Sequence, residues 1–348
     1  MRKVLVARGG IMSTFSGLGS THEKLVSRLG SDSLSNYTLG SVHEYNSSNN
    51  PVRKLYMRWS KGPRDVARMS KEHDIVHISD QEQAGMVPRN AKTVVTVHDL
   101  FHIFPSVRNK IEIGEQKPGI IRRKDLEKIK SGLLRADLLI CISKNTQQEC
   151  EMRFPGVKTA YIPHAIDTEK YQIDTQRPGW FNNGVNLLVV GSEESRKRVD
   201  FAIDVCSGMD VTLHKIGAES SSEAKNRLQH YAKSTGCNLN WVGRLEEKEM
   251  IAALQHADAL LFPSVAEGFG LPPLEAYAAG TVALVADAPA HNEIPLQHHI
   301  LPIDNIDDWK EAIRNLKDES KEVLAKAKMY SIEAWCERLS EAYDSILQ

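Results

Sequence analysis

Cysteine is scarce in this chain, and the spacing of the few present argues against two classes of stabilised protein. The 348 residues contain five cysteines, which are widely separated and form no C-x-x-C pair. A disulfide framework requires an even set of partners, and a structural zinc site requires clustered ligands. We therefore expect reduced thiols and a cytoplasmic location.

Long apolar runs and an excess of one charge are also missing. No segment has the roughly 20 apolar residues needed to cross a bilayer. Val4–Ala7 is too short for a signal peptide and suits a buried first strand. The formal net charge of -1 argues against a dedicated nucleic-acid binder, so no nucleic-acid partner is expected. With 41% hydrophobic and 26% charged residues, the composition is that of an ordinary globular protein.

The length and the alternation of apolar runs predict two domains of the α/β class. A chain of 348 residues exceeds the usual size of one domain. Short apolar runs alternate with helix-like segments, as in a parallel sheet covered on both faces. These runs lie at 4–7, 75–78, 93–97 and 138–142, and again near 186–190, 211–216, 239–242, 259–262 and 282–286. We predict Rossmann-like domains over 1–170 and 171–330, with a polar linker at 168–184 and a C-terminal helix over 331–348.

The most informative stretch runs from Glu267 to Ala276 and reads EGFGLPPLEA. An apolar strand stopped by Pro263 precedes it, and its glycines permit close approach of the backbone to a ligand. A proline suits the first turn of the helix that follows, which stops at Gly280. Free N–H groups at the start of that helix would bind phosphate, while Glu267 on the loop and Glu275 in the first turn would suit sugar or ribose hydroxyls. When only the spacing of the two glutamates is considered, there is another interpretation. In it, Glu275 compensates the helix dipole and Glu267 is a solvated loop residue.

Three basic residues follow the first glycine turn of the second predicted domain. After Gly191 the sequence reads SEESRKRVD, which places Arg196, Lys197 and Arg198 at the start of a predicted helix. Cations at a helix N-terminus oppose its dipole unless an anion compensates them. A bound phosphate would be such an anion, and a charged surface turn is the alternative.

Two features of the first predicted domain also point to a ligand. A glycine-rich connection, Arg8–Gly19, follows the first strand, and its Gly17-x-Gly19 pair lies too far from that strand for a dinucleotide fingerprint. A mobile surface loop is the alternative. His98 ends a strand, at the edge where open α/β sheets bind ligands, although a structural histidine is the alternative. His102 could pair with it on a metal, but no third ligand is evident, so we expect no metal.

These strings resemble those of a known family. EGFGLPPLEA resembles the donor-site signature of retaining, nucleotide-sugar-dependent glycosyltransferases of family four, the glycosyl transferases group 1. The run TVHDL around His98 and the run YIPHAID at 161–167 resemble further elements of that family, although His164 and Ala165 replace its usual asparagine and glycine. The resemblance implies an α/β fold of the GT-B type, with two Rossmann-like parallel-sheet domains facing across a cleft and the C-terminal helix crossing back to the first domain.

The resemblance also implies roles for individual residues. His98 would contact the transferred sugar, and Glu267 would hold the sugar hydroxyls. Arg196 and Lys197 would grip the donor diphosphate, although the family often has an arginine where this chain has Ser192. The residues implied in binding or facing the nucleotide sugar are Gly17, Gly19, Gly191, Val242, Gly243, Arg244, Phe269, Gly270, Leu271 and Glu275.

The implied activity is that of a retaining, hexosyltransferase-type enzyme. It would move a sugar from a nucleoside diphosphate to an acceptor hydroxyl of a glycan, a lipid-linked acceptor or a small molecule, in glycan or glycolipid assembly. Neither a metal nor another cofactor is expected. Two rivals would retain Lys197 and Glu275: a GT-B nucleotide-sugar hydrolase or epimerase, and a non-catalytic module that binds sugar nucleotides. For Arg244, an exposed pairing residue is the alternative.

A basic segment at 108–135 admits two interpretations. It contains nine Lys or Arg residues against four acidic ones, with Leu126, Ile129 and Leu133 at helical spacing. The default is a solvated face. The functional interpretation is peripheral contact with an anionic membrane at its inner face, or with a phosphate-bearing acceptor, since each surface cation can contribute about 1 kcal/mol to binding acidic lipid.

Overall fold

The computed structural model describes residues 1–11, 17–31, 33–46 and 48–347. The chain divides into two compact units. Unit 1 comprises Met1–Ser106, Gly114–Pro163 and Glu333–Gln348, and unit 2 comprises Val107–Ile113 and His164–Ile332. Unit 2 thus begins before the boundary that we predicted at 170, and it includes a short segment, 107–113, taken from within the first predicted domain.

The core of unit 1 is a six-stranded parallel sheet. Its strands are β1 (Arg2–Gly10), β2 (Tyr37–Tyr45), β3 (Ile75–Ile78), β4 (Thr93–Val97), β7 (Leu138–Cys141) and β8 (Lys158–Tyr161), and they lie in the order β2-β1-β3-β4-β7-β8. The side chains of Val4–Ala7 on β1 have no exposed area, because helices and loops cover both faces of the sheet. Sequence patterning identified four of these, and the half-exposed strands β2 and β8 were missed.

Two helices of unit 1 begin at capping side chains that the sequence provides. The side chain of Asn50 accepts two backbone N–H bonds at the start of one helix, and Ser143 accepts the N–H of Thr146 at the start of another. A five-residue π-helical segment, Met57–Lys61, separates two of the helices. The helices are α1 (Gly17–Gly30), α2 (Pro51–Tyr56), α3 (Gly62–Met69), α4 (Ile120–Arg135) and α5 (Lys144–Arg153).

The last helix, α12 (Ile332–Leu347), packs on the sheet of unit 1. Its apolar face buries Leu339 and Tyr343 completely. The Tyr343 hydroxyl lies 2.6 Å from Nδ1 of His77 on β3, and the hydroxyl of Tyr37 on β2 donates to Asp344 Oδ1 at 2.6 Å. The prediction that the C-terminal helix returns to the first domain is confirmed.

Unit 2 contains the second six-stranded parallel sheet, in the order β11-β10-β9-β12-β13-β14. Its strands are β9 (Val185–Val190), β10 (Val211–Ile216), β11 (Asn238–Gly243), β12 (Ala259–Phe262), β13 (Val282–Ala286) and β14 (Ile300–Leu301). Its helices are α6 (Val199–Cys206), α7 (Ser222–Thr235), α8 (Glu247–His256), α9 (Leu271–Ala278), α10 (Ile306–Arg314) and α11 (Ser320–Lys328). A two-stranded hairpin of β5 (Ser106–Arg108) and β6 (Ile111–Ile113) was not predicted. The two parallel sheets confirm the predicted fold class.

The glycine-rich connection after the first strand is shorter than we predicted. β1 continues to Gly10, where it pairs with Tyr45 of β2, and α1 begins at Gly17. Gly19 is therefore a buried helical residue and does not belong to a loop. Residues 12–16 of the predicted loop lie outside the described residues.

Candidate functional site

The basic residues of unit 2 lie on a tight turn that follows β9. Gly191 has a φ of +139°, a backbone conformation that residues other than glycine rarely adopt. A Cβ at Gly191 would make ordinary van der Waals contact with the Cδ atom of Lys197, at 3.5 Å, so the positive φ rather than a lack of space requires glycine. Arg196 and Lys197 belong to a short 3-10 helix, Ser195–Lys197, and α6 begins only at Val199.

A buried ion pair fixes the beginning of the same turn. Lys215 on β10 contacts the carboxylate of Glu193, and both side chains have no exposed area. Glu193 also accepts the backbone N–H of Ser220 at 2.5 Å, and the Lys215 ammonium lies 4.3 Å from the centre of the Trp241 ring. Sequence reasoning missed this pair, although an isolated lysine in the apolar run VTLHKI was a signal for it.

The loop from β12 to α9 meets this turn directly. The backbone N–H of Val265 donates to the carbonyl of Arg196 at 2.9 Å. Gly270 is the N-cap of α9 with a φ of +107°, and a Cβ there would lie 2.7 Å from the Cβ of His291. Among the described residues, no side chain caps the helix start. Pro272 and Pro273 have no N–H, so the N–H groups that the first turn of α9 can offer beside the basic turn are those of Leu271 and Leu274.

Glu267 is the centre of a charge cluster at this junction. Its side chain is almost fully buried, and Lys197 Nζ donates to its Oε1 at 2.5 Å. Arg196 Nη1 donates to Oε2 at 3.0 Å and to the carbonyl of Ala266 at 3.0 Å. Burial alone would raise the pKa of Glu267, but the nearby charges of Lys197 and Arg196 outweigh it and lower this pKa to about 2. The carboxylate is therefore ionised at neutral pH.

The structure supplies an anion for the basic residues that differs from the one we predicted. We inferred a phosphate because three cations at a helix start need compensation. Glu267 provides one compensating charge, and Glu194 accepts from Arg196 Nε at 2.8 Å. Arg198 donates to Asp304 Oδ1 at 2.8 Å, away from this cluster. A solvated Glu267, the alternative considered from the sequence, is wrong.

His291 adjoins this cluster and was missed by sequence reasoning. Its ring is fully buried, packs edge-on to Phe262 at a centroid distance of 5.3 Å, and has the backbone of Ser264 as its polar neighbour. Burial lowers the pKa of His291 to about 4, against the opposing effect of Glu267. The preceding Ala290 has a φ of +76°, a strained conformation for a residue with a Cβ. A strained backbone beside a buried polar ring is typical of a functional site.

Glu275 lies on α9, one residue beyond its first turn rather than within it as we predicted, because the helix begins at Leu271. Its side chain is half-buried. Burial and the neighbouring carboxylate of Glu275 raise the pKa of Tyr171, which also shares a hydrogen bond with Glu275. Phe269 is buried between the rings of His164, at 5.2 Å, and Tyr330, at 5.9 Å.

The remaining predicted residues of unit 2 lie at the end of β11. Gly243 has a φ of +85°, and its carbonyl accepts the N–H of Gly217 at 2.8 Å. Val242 is half-buried and Arg244 is exposed. Since β9, β10, β11 and β12 are parallel, their carboxyl ends lie at one edge of the sheet, which is where open α/β sheets bind ligands.

In unit 1, His98 lies at the carboxyl end of β4 and is buried. Its backbone N–H donates to Gln81 Oε1 at 3.0 Å, and its ring Nε2 lies 3.0 Å from the carbonyl oxygen of Ser79. A carbonyl only accepts, so Nε2 carries the proton. Burial lowers the pKa of His98, which keeps the imidazole neutral at physiological pH.

A second buried histidine of unit 1 was not predicted. His22 Nδ1 lies 2.7 Å from the hydroxyl of Ser79, and its Nε2 lies 3.3 Å from Glu44 Oε1. Arg8 contacts the same Glu44 carboxylate. Burial, and then the charge of Arg8, lowers the pKa of His22 to about 4. Ser79 thus links His22 to His98.

The predicted basic segment is divided in the structure between the β5–β6 hairpin and α4. On α4, Ile120 and Ile121 are more than half exposed, next to several basic residues. The buried Asp125 accepts from Arg58 Nε at 2.7 Å and from Arg122 Nη1 at 2.8 Å. Across residues 1–11, 17–31, 33–46 and 48–347, none of the helices has both the length and the apolar character that crossing a membrane requires.

Two family models match the chain one after the other. The model described as Glycosyltransferase Family 4 matches residues 22–170, and the model described as Glycosyl transferases group 1 matches residues 171–333.

Curated relatives include bacterial mannosyltransferases. The O-antigen chain mannosyltransferase RfbU of Salmonella typhimurium is 41% identical over 252 residues, which is 66% of this chain and 65% of the relative. The serotype-specific mannosyltransferase WbdA of Escherichia coli is 24% identical over 296 residues, which is 77% of this chain and 34% of the relative. The chain spans about a third of the length of the first curated relatives that it matches.

Solved structures share the fold across the chain. A sucrose-phosphate synthase from Thermosynechococcus elongatus superposes with a TM-score of 0.76 at 14% identity, covering 99% of each chain. The lipopolysaccharide outer core galactosyltransferase WaaB superposes with a TM-score of 0.71 at 16% identity, again covering 99% of each chain. HepE of Anabaena, solved in complex with UDP, gives a TM-score of 0.75 at 15% identity, covering 99% of this chain and all of HepE.

Proposed function

The chain belongs to the group 1 glycosyltransferases of family 4, and we propose that it transfers a sugar from a nucleoside diphosphate to an acceptor hydroxyl with retention of anomeric configuration. The observation that supports this most is the junction at Glu267, where two basic side chains and the uncapped start of α9 converge. Such a junction suits the diphosphate of a nucleotide sugar.

Arg196 and Lys197 retain N–H donors for a phosphate while they bind Glu267. Lys197 has three N–H donors, and one of them is directed at Glu267. Arg196 has five N–H donors, and those on Nε and Nη1 are used by Glu194, Ala266 and Glu267. Glu267 then sets the direction of both cations, and its remaining lone pairs can accept hydroxyls of the sugar.

The chemistry follows from where charge develops. When the glycosidic C–O bond breaks, negative charge grows on the leaving diphosphate. Lys197, Arg196 and the N–H groups around Phe269–Leu271 would stabilise this charge electrostatically, a contribution that typically amounts to several kcal/mol in enzymes. We propose that transfer needs no metal, because these groups supply the positive charge, and that neither Glu267 nor Glu275 acts as a nucleophile.

The nucleoside would be held by neighbouring elements of unit 2. Glu275 on α9 would accept the ribose hydroxyls, and the backbone of Val242–Arg244 at the end of β11 would contact the base. In unit 1, His98 presents a neutral imidazole for a sugar hydroxyl, and Gly17 and Gly19 at the start of α1 are proposed to face the substrates. Relatives named as mannosyltransferases make a mannosyl donor the first one to test.

The acceptor is proposed to belong to glycan or glycolipid assembly. One relative is named O-antigen chain mannosyltransferase and another phosphatidyl-myo-inositol mannosyltransferase, which supports a glycan or lipid-linked acceptor. The exposed isoleucines and basic residues at the start of α4 support peripheral contact with an anionic membrane, and we propose a cytoplasmic location at its inner face. Cosedimentation with phosphatidylglycerol vesicles decides the point, since no binding at low salt would refute it.

Donor binding can be tested with the Lys197→Ala variant. Nucleoside diphosphates and their sugars should raise the melting temperature of the native chain by mass action. Loss of Lys197 should remove most of that shift and lower turnover by roughly 10²–10³-fold, the range seen when one transition-state donor is removed.

The matched control is Lys233→Ala, which removes an exposed lysine from α7 of the same unit. It should bind and turn over as the native chain does. If Lys197→Ala keeps full turnover, the assignment of the phosphate site is wrong.

A further inference from the structure

A second polar cluster lies in unit 2 at the opposite end of α9 from the Glu267 junction. His298 and His299 belong to the short 3-10 helix Gln297–His299, which precedes β14. Glu319 is the residue before α11. Within the described residues, this is the one group of three or more side chains with histidine, cysteine or carboxylate atoms close enough to share a metal ion.

The three ligand atoms converge on one small volume. His298 Nε2 lies 2.6 Å and His299 Nε2 lies 3.3 Å from the same oxygen, Glu319 Oε2. All three atoms lie within 4.8 Å of one another. Ligand bonds of about 2.0–2.1 Å in a tetrahedral zinc site place ligand atoms about 3.3 Å apart. The His299–Glu319 separation already matches that spacing, and the His298–Glu319 hydrogen bond needs to open by less than about 1 Å.

The buried member of the cluster has an outer partner that orients it. The side chain of His299 is 4% exposed, and its Nδ1 lies 2.6 Å from the hydroxyl of Tyr277 on α9. That hydroxyl also accepts the backbone N–H of Leu296 at 2.9 Å. A histidine that ligates a metal through Nε2 can donate its Nδ1–H to such a hydroxyl, which fixes the ring direction. The hydroxyl can also donate its own proton to Nδ1, so it accommodates either tautomer.

The exposed members leave room for further ligands. The side chain of His298 is 61% exposed and that of Glu319 is 23% exposed. Two imidazoles and one carboxylate suit a borderline divalent ion such as Zn²⁺, rather than the all-oxygen surroundings that Mg²⁺ and Ca²⁺ prefer. Water can complete the coordination on the exposed side.

We propose that His298, His299 and Glu319 form a binding site for a divalent transition-metal ion of the zinc type. The ion joins the segment before β14 to the start of α11, and α11 packs against α9. Through Tyr277 the site also contacts α9 itself. Its role is to stiffen the support of that helix, and it takes no part in sugar transfer.

The test uses the full chain without a histidine tag, stripped of metal by a chelator and titrated with zinc sulfate in a calorimeter. One equivalent should bind saturably and raise the melting temperature. Co²⁺ should bind competitively and give the visible absorption of a tetrahedral site. His298→Ala and Glu319→Gln should each weaken zinc binding by more than roughly tenfold, since even the loss of an outer partner costs 10–100-fold.

His230→Ala is the control, because it removes an exposed histidine of the same unit that lies outside the cluster. It should bind zinc as the native chain does. The inference is overturned if the native chain binds no zinc saturably, or if His298→Ala and Glu319→Gln bind zinc as tightly as His230→Ala. Nucleotide binding in the presence of EDTA reports separately on the proposed transfer function, so each proposal can fail without the other.

Discussion

At the scale of single residues, Glu267 determines how two cations are held. The charges of Lys197 and Arg196 hold its pKa at about 2, below the ordinary value of 4.5, despite burial. A carboxyl whose pKa is lower in the folded chain stabilises the fold above its unfolded pKa. That stabilisation is lost as the pH falls from about 4.5 to about 2.

The pH dependence can be measured against Glu267→Gln. The native chain should melt at a higher temperature than the variant at neutral pH, and the difference should shrink as the pH falls below about 4.5. Subtracting the two curves of melting temperature against pH removes the contributions of other carboxylates with lowered pKa values, such as Glu193 and Asp125. A difference that stays constant with pH would show that Glu267 is not held as a buried anion.

The His98→Gln variant distinguishes a histidine that contacts the sugar from one with a structural role. His98→Gln keeps a side-chain N–H that can reach the carbonyl of Ser79 but removes the imidazole. We expect turnover to fall roughly 10²-fold or more, in the range of a lost positioned catalytic group, while the affinity for nucleoside diphosphate stays close to native. Equal losses in turnover and affinity, measured by steady-state kinetics and calorimetry, would favour a structural histidine.

The charged residues of the Glu267 cluster were predicted from the sequence, but their contacts were not. Residue types and neighbours in the sequence identified Arg196, Lys197 and Glu267, whereas the pairing of the two cations with Glu267 was not predicted. The pairing depends on the contact between the turn after β9 and the loop after β12, which no local pattern encodes. His291 was missed for the same reason, because its burial beside Gly270 arises from the return of the chain after β13.

At the scale of elements, the buried strands were the easiest to predict. β3, β4, β10, β12 and β13 have continuous apolar or almost entirely buried sequences, and their predicted limits agree with the structure. β2 and β8 are half-exposed edge strands of unit 1, so their polar residues conceal them. The β5–β6 hairpin overlaps the basic segment at 108–135, which we interpreted from its charge and not as strands.

The start of α9 depends on Gly270. Gly270→Ala forces a Cβ into a backbone with a φ of +107° and to within 2.7 Å of the Cβ of His291. We expect a loss of about 1–3 kcal/mol in stability from the strained backbone and the clash, together with weaker nucleotide binding because the N–H groups of α9 shift.

Gly236→Ala is the matched control for the strain alone. Gly236 has a φ of +72° at the end of α7, and a Cβ there meets no atom within 4 Å. Its loss should be about 1 kcal/mol, with nucleotide binding intact. If thermal unfolding shows equal losses for the two variants, then the contact with His291 does not constrain α9.

At the scale of the whole molecule, the two parallel sheets and the returning helix α12 followed from apolar periodicity and from the resemblance of a few short strings. The division into units did not follow so closely. Unit 2 takes up Val107–Ile113, and unit 1 recovers the last helix, so neither unit is continuous in sequence. Such exchanges depend on long-range packing and leave no periodic signal.

The central claim is transfer of a sugar with retention, and proton NMR of the reaction products tests it most directly. The reaction would contain the chain, uridine and guanosine diphosphate sugars in turn, a panel of simple glycoside acceptors such as methyl α-mannoside, and EDTA. We predict release of the nucleoside diphosphate and a new glycoside whose anomeric configuration matches that of the donor. Free sugar or an epimer as the sole product, an inverted glycoside, or binding of a donor without turnover would contradict the claim, and activity abolished by EDTA would contradict its metal independence.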